Sequence, residues 1–236
     1  MSRLVLGVVI LSLCSLTSTD LRAAEPQGEF QSIFNGQDLS GWRGREDLWS
    51  VEEGAITGRT TAEKPLEHNT FLVWEGGKPA NFELRTQFKI EGGNSGIQYR
   101  SQVVDEEKFI VGGYQADIDA AGKYAGINYE ERGRGILALR GQRVRLEGGN
   151  TKEVESFGDA EEIGKVIKPN EWNDYRIVAQ GNRLQHFING QLTSEVIDLD
   201  EEKSTESGVL ALQLHVGPAM TVQFKDVKLK QLEAAE

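Results

Sequence analysis

The chain of 236 residues has one cysteine, Cys14, and only five prolines and three histidines. One thiol, placed in an N-terminal apolar segment, excludes a disulfide framework and a thiolate metal site from the rest of the chain. Long hydrophobic runs are missing too. The longest, "LVLGVVILSLCSL" at 4–16, has 13 residues, too few for a comfortable membrane span. Arg3 before it and "LRAAEPQ" after it give the charged start, apolar middle and small-residue cut site of a secretory signal peptide. We therefore expect residues 1–24 to be removed and the mature protein, 25–236, to be exported to the periplasm or beyond, with no membrane span. Basic charge is also short. Asp and Glu number 37 against 26 Lys and Arg, and losing residues 1–24 moves the net charge from −11 to −12. That balance repels nucleic acid and leaves neutral ligands and cations as the better partners. No His-x-x-x-His, Gly-x-Ser-x-Gly or phosphate-loop pattern is present, which removes support for zincin, serine hydrolase and nucleotide chemistry.

No long stretch carries a 3.6-residue period; "GDAEEIGKVI" (158–167) holds at most a short helix or a polar loop. Short runs of period two are abundant instead: "FELRTQFKI" (82–90), "SGIQYRSQV" (95–103), "GYQADIDA" (113–120), "WNDYRIVAQ" (172–180) and "VQFKDVKLKQL" (222–232). Glycine-rich turns such as Gly92-Gly93, Gly148-Gly149-Asn150 and Asn189-Gly190 separate the runs. Many half-buried antiparallel strands need two sheets face to face. The expected fold is all-β, a single jelly-roll β-sandwich of two antiparallel sheets.

In such a sandwich one sheet usually curves, and its outer face is expected to be concave. Ile97 and Tyr99 alternate with Gln98 and Arg100, and Tyr114, Ala116 and Ile118 alternate with Gln115, Asp117 and Asp119. Ile127 and Tyr129 alternate with Asn128 and Glu130, and Leu212 and Leu214 with Gln213 and His215. With the apolar members inward, the other face carries amides, carboxylates, arginine and histidine. Solvated faces are usually rich in Lys, Glu and Thr, so this one suits a polyhydroxylated ligand, a carbohydrate. His68 reads as a loop residue, and His186 is explained by its hairpin. Trp42, Trp49, Trp74 and Trp172 sit at segment ends, suited to packing or to stacking on sugar rings.

Five segments in order, "FQSIFNGQDLSGW" (30–42), "WSVEEGAITG" (49–58), "NFELRTQFKIEGGNSGIQYRS" (81–101), "PNEWNDYRIVAQGNRLQHFINGQL" (169–192) and "GVLALQLHVGPAMTVQFKDVKLK" (208–230), resemble the bacterial 3-keto-disaccharide hydrolase domain, formerly domain of unknown function 1080. The resemblance spans nearly the whole mature chain. It implies a concanavalin-like sandwich and cleavage of 3-keto-glycosides by elimination and hydration. One element departs from the pattern: Gln115 stands where a glutamate is common, and Asp117 where a glutamine is common. Under this reading His215, Asp117 and Asp119 are the candidate catalytic residues. Gln98, Arg100, Gln115 and Gln213 would bind substrate, with Arg134 and Arg140 as flanking contributors. His215, Asp117 and Asp119 are also the side chains available to a divalent metal ion, should one take part. A non-catalytic glycan-binding or interaction module of the same fold is the alternative, since Gln115 cannot act as a base.

Overall fold

The computed structural model describes residues 28–148 and 151–234. The signal-peptide reading, Cys14 and the Gly149-Asn150 part of one turn lie outside the described residues. In chain order the strands are β1 (Gln31–Ser32), β2 (Trp42–Arg43), β3 (Trp49–Glu52), β4 (Ala55–Thr60), β5 (Thr70–Trp74), β6 (Phe82–Glu91), β7 (Asn94–Asp105), β8 (Ile110–Asp119) and β9 (Asn128–Glu131). After them come β10 (Gly135–Ala138), β11 (Gln142–Glu147), β12 (Thr151–Ser156), the short helix α1 (Ala160–Gly164), β13 (Asn173–Gln180), β14 (Arg183–Ile188), β15 (Gln191–Asp198), β16 (Val209–Leu214) and β17 (Met220–Gln231). Asp159 caps α1 by accepting from the backbone N–H groups of Glu161 and Glu162, which is why the polar stretch there turns helical. Among the described residues no helix is long and apolar enough to cross a membrane.

The strands form two sheets. The larger runs β12-β11-β15-β14-β13-β6-β17-β4-β3, with β1 also on β17, and the smaller runs β10-β9-β8-β7-β16-β5-β2. Neighbours are antiparallel apart from the parallel pair β11–β15. Strands far apart in sequence lie side by side, as in β16 between β7 and β5, which gives the jelly-roll crossing. The period-two pattern delivers the core between the sheets. Leu210, Leu212 and Leu214 of β16 meet Ile97, Tyr99, Tyr114 and Ile118 from their own sheet and Phe82, Leu84, Tyr175, Ile177 and Phe224 from the other.

This core is not purely apolar. His186 is fully buried, and burial pushes its pKa down to about 3 against a hydrogen bond with the Ile127 carbonyl. The ring is therefore neutral. Its Nδ1–H donates to Ile127 O (3.1 Å), and its Nε2 accepts from the Tyr99 hydroxyl (2.9 Å). Asn128 Nδ2 donates to the same hydroxyl (3.0 Å). A turn-forming role for the hairpin thus does not account for His186; it links the two sheets through hydrogen bonds that a hydrophobic residue could not make.

The hairpin joining β7 and β8 decides the shape of the smaller sheet's outer face. Register breaks between Tyr99 and Gln102 and between Val103 and Asp105 bend it. Arg100 takes a positive φ of 46° at the first break, and Gly208 passes so close that a Cβ there would lie 2.4 Å from the Arg100 carbonyl carbon. The bent tip lies across β16 and β5, where Phe109 O accepts from Phe71 N (3.0 Å) and Lys108 O from the Thr70 hydroxyl (3.1 Å). Val103 and Val111 from the hairpin then pack on Phe71, Val73, Val209 and Ala211.

Arg134 belongs to this scaffold and not to the outer face. Its guanidinium donates to Glu130 (2.6 Å) and to Asp198 (2.6 Å), and Asp198 also accepts from the Tyr114 hydroxyl. Burial opposes the Arg134 charge, but the bonds to Asp198 and Glu130 outweigh it and hold the guanidinium firmly protonated. Removing one partner of such a buried set leaves uncompensated charge, so Arg134→Met is expected to cost about 3–5 kcal/mol. Arg145→Met, which breaks an exposed pair with Glu147, is expected to cost less than about 1 kcal/mol. Urea denaturation midpoints of the two variants check the contrast.

Candidate functional site

Beside the apolar patch, the rest of the smaller sheet's outer face is polar. Gln98 on β7 stands opposite Gln115 on β8 and, on its other side, opposite Ala211 on β16. Gln213 lies two residues further along β16. Gly96 on β7 leaves the space that the Gln115 side chain fills: a Cβ there would come within 2.5 Å of it. The side chains form a directed chain. Ser101 Oγ donates to Gln98 Oε1 (2.6 Å), Gln98 Nε2 to Gln115 Oε1 (2.8 Å), and Gln115 Nε2 to Asp117 Oδ1 (2.6 Å). Each amide has its donor and acceptor ends assigned by the next, so the chain is stiff. Gln115 Nε2 also reaches Gln213 Oε1 at 3.5 Å, while Gln213 Nε2 is buried without a partner among the described residues. An unpaired buried donor costs about 1–3 kcal/mol.

Asp117 ends the chain and is 6% exposed. Burial pushes its pKa up to about 7, against hydrogen bonds from Gln115 and Asn94 and with the carboxylates of Asp119 and Glu131 adding to the rise. A carboxyl group that is half ionised near neutral pH can both take and give a proton, the property required of a general base that must later act as an acid.

Asp117 and Gln115 open into a cavity of about 980 Å³ whose wall includes Asn69, Asn94, Asp119, Tyr129, Glu131 and His215. His215 lies one residue beyond the end of β16, with its Nδ1 against the Val216 carbonyl oxygen. Asn69 holds this rim together: its Oδ1 accepts from Val216 N (2.8 Å), and its Nδ2 donates to Glu131 (3.0 Å). Asp119 organises the next loop by accepting from the N–H groups of Ala121 (3.1 Å) and Tyr124 (3.0 Å). Burial and the carboxylates of Glu131 and Asp117 raise the Tyr129 pKa, so its phenol stays a donor.

Of the residues expected from the sequence to share a site, Gln98, Gln115, Gln213 and Asp117 are contiguous, and Asp119 and His215 line the cavity. Arg100 does not join them. Its bulge turns the guanidinium to the opposite end of the strand, where it donates to the carbonyls of Ala80 (2.8 Å) and Gly181 (2.7 Å). Arg134 is held in the ion cluster described above. Arg140 stands behind the cavity wall and clamps the carbonyls of Gly122 (2.9 Å), Ala125 (2.8 Å) and Ala160 (2.7 Å), bracing the Asp119–Tyr124 loop from outside. Strand β9 reverses its expected orientation: Asn128 and Glu130 point into the interior, and Tyr129 and Glu131 face the cavity. Tyr129 and Glu131 thus line the cavity against the alternation, and Asn69, just before β5, and Asn94, at the start of β7, join them. Trp42 and Trp49 are core residues, and Trp172 lies beside Lys225 and Lys89, so no tryptophan lines the cavity. Among the described residues no group of three or more His, Asp or Glu side chains is arranged to hold a metal ion.

The raised Asp117 pKa has a stability consequence with a definite sign. An ordinary aspartate titrates near 3.9. Holding this one protonated up to about 7 means that its contribution is fully present below pH about 4 and lost as pH rises through about 7. The wild type is expected to lose up to about 4 kcal/mol from this group across that window, and Asp117→Asn is expected to lack that decline. Denaturant unfolding at pH 5 and pH 8 checks both proteins.

The structure is similar to a protein described as a candidate glycosyl hydrolase from Parabacteroides distasonis ATCC 8503, at 20% identity and a TM-score of 0.57 over 86% of this chain and 94% of that one. It is also similar to the carbohydrate-binding module CBM66 from Bacillus subtilis, at 15% identity and a TM-score of 0.54 over 81% and 96%. A Bacillus subtilis protein with a galectin-like fold matches at 10% identity and a TM-score of 0.55 over 84% and 92%. At these identities the likeness establishes the fold alone. No curated protein matches. Residues 29–230 match the family described as the 3-keto-alpha-glucoside-1,2-lyase-like domain, and the chain belongs to that carbohydrate-active family.

Proposed function

We propose that the protein is exported and cleaves 3-keto-glycosides in the cavity beside Asp117. The observation that carries this reading is a nearly buried carboxyl group titrating near neutrality, at the end of a rigid amide chain and open to a cavity large enough for a disaccharide. A ketone at C3 acidifies the proton on C2. Ionised Asp117 takes that proton, and the electron pair passes into the enolate, whose oxygen is stabilised by donors such as Asn94 and the Tyr129 phenol. The pair then forms the C1=C2 bond as the C1–O bond breaks. His215, on the cavity wall, supplies the proton to the departing oxygen. Water adds across the resulting enone, hydroxyl to C1 and the proton back to C2, so the net change is hydrolysis with no oxidant consumed. Gln115 and Gln98 act as positioning residues that hold Asp117.

The second reading, a binding module without chemistry, is favoured by the neutral amide at Gln115 and by the fold's use in carbohydrate-binding proteins. An assay with a purified 3-keto-disaccharide separates the two. Asp117→Asn is expected to reduce kcat/KM by roughly 10²–10⁴, and wild-type kcat/KM is expected to rise with pH through about 7. His215→Ala is expected to lower kcat, with the loss smallest for substrates whose leaving group needs no proton. Glycan binding without any product, with or without a chelator, would establish the binding module instead.

A further inference from the structure

The cavity wall carries both polar and apolar side chains. One row of side chains shows this directly, because its members are paired across neighbouring strands. Ile136 on β10 stands opposite Tyr129 on β9, Tyr129 opposite Gln115 on β8, and Gln115 opposite Gln98 on β7. From the sheet edge inward the row therefore reads aliphatic, phenol, amide, amide. Ile136 is 40% exposed, and two further exposed hydrophobics, Tyr124 at 36% and Val216 at 38%, also line the cavity. The other exposed large hydrophobics among the described residues, Val104, Leu139 and Val154, do not.

These three side chains are held in place without being buried. Tyr124 sits on the loop fastened by Asp119 and by Arg140, with Lys123 Nζ over its ring at 4.8 Å. Val216 is fixed by Asn69. Ile136 belongs to a strand. Aliphatic side chains offer nothing to a sugar hydroxyl, and covering those hydroxyls with them would leave hydroxyls without partners. Exposed apolar side chains on braced supports in a cavity wall suit an apolar group of the ligand.

We propose that the ligand is amphiphilic, a glycoside whose sugar lies on Gln115 and Asp117 and whose leaving group is an aryl or branched-alkyl aglycone resting on Tyr124, Ile136 and Val216. This rests on the 3-keto-glycoside reading and specifies its substrate class. A second sugar in the aglycone position would place hydroxyls against the aliphatic wall.

The test uses three 3-keto-glucosides with one sugar and different aglycones: methyl, phenyl and glucosyl. Turnover gives kcat/KM, and calorimetry on the same ligands gives affinity. The phenyl compound is expected to exceed both others by roughly tenfold or more in each measurement. Ile136→Ser and Val216→Ser are each expected to reduce the phenyl-to-methyl ratio several-fold. Val154→Ser, an exposed hydrophobic away from the cavity, is expected to leave the ratio at the wild-type value. Equal values for phenyl and methyl, or a preference for the glucosyl compound, would overturn the aglycone proposal while leaving cleavage intact. Tighter binding of the phenyl compound with no turnover of any of the three would sink the cleavage reading and support the aglycone proposal. Absence of binding and turnover for all three would overturn both.

Discussion

Water is excluded from one half of the smaller sheet's outer face because the β7–β8 hairpin bends back across β16 and β5. An outer sheet face is normally solvated, and glutamines on it would bond to water. Here Gln98 and Gln213 are fully buried, and Gln115 is nearly so. Their amides must bond to each other, and the order in which they do so ends at Asp117. Loss of hydration raises the pKa of that carboxyl group more than the hydrogen bonds from Gln115 and Asn94 lower it. The proton-transfer property of the site is thus a consequence of how the β7–β8 hairpin folds.

Polar groups in the interior perform a different task. The His186–Tyr99–Asn128 set and the Arg134–Glu130–Asp198 set tie the two sheets together through directional bonds. Each set leaves unpaired polar groups if the strands slip, so it favours one register over its neighbours. Both sets include residues of β9, which explains why that strand presents Tyr129 and Glu131 to the cavity. The bonds of Asn128 and Glu130 inward outweigh the preference of a tyrosine for the core. Scaffold and site are coupled at this strand: the same alternation that closes the interior network places a phenol and a carboxylate on the cavity wall.

Much of the architecture was legible before any coordinates. Alternation along β6, β7, β8, β13, β16 and β17 indicates strands, turn residues separate them, and the absence of helical periodicity leaves a sandwich. The common orientation of Gln98, Gln115, Asp117 and Gln213 follows from the same parity, because each lies beside leucine, isoleucine or tyrosine residues that enter the core. Parity failed for Arg100 because a bulge adds a residue and breaks the period. It failed for Asn128 and Glu130 because it assumes an apolar interior. It also gave no reason to expect His186 at the centre of the core, where neutral imidazole is stable only because hydrogen-bond partners arrive from β7 and β9.

The amino-acid sequence alone determined the β-sandwich and its family, since these depend on local period, turn chemistry and ordered motifs. It also determined that Gln98, Gln115, Asp117 and Gln213 share the outer face. The tertiary structure alone decided which of them lose their water, which arginines serve the scaffold, and which exposed apolar side chains line the cavity. Those properties depend on what covers a residue, and the covering segments come from parts of the chain far removed in sequence. Ile136, Tyr129 and Gln115 become one graded row only when β10, β9 and β8 pair.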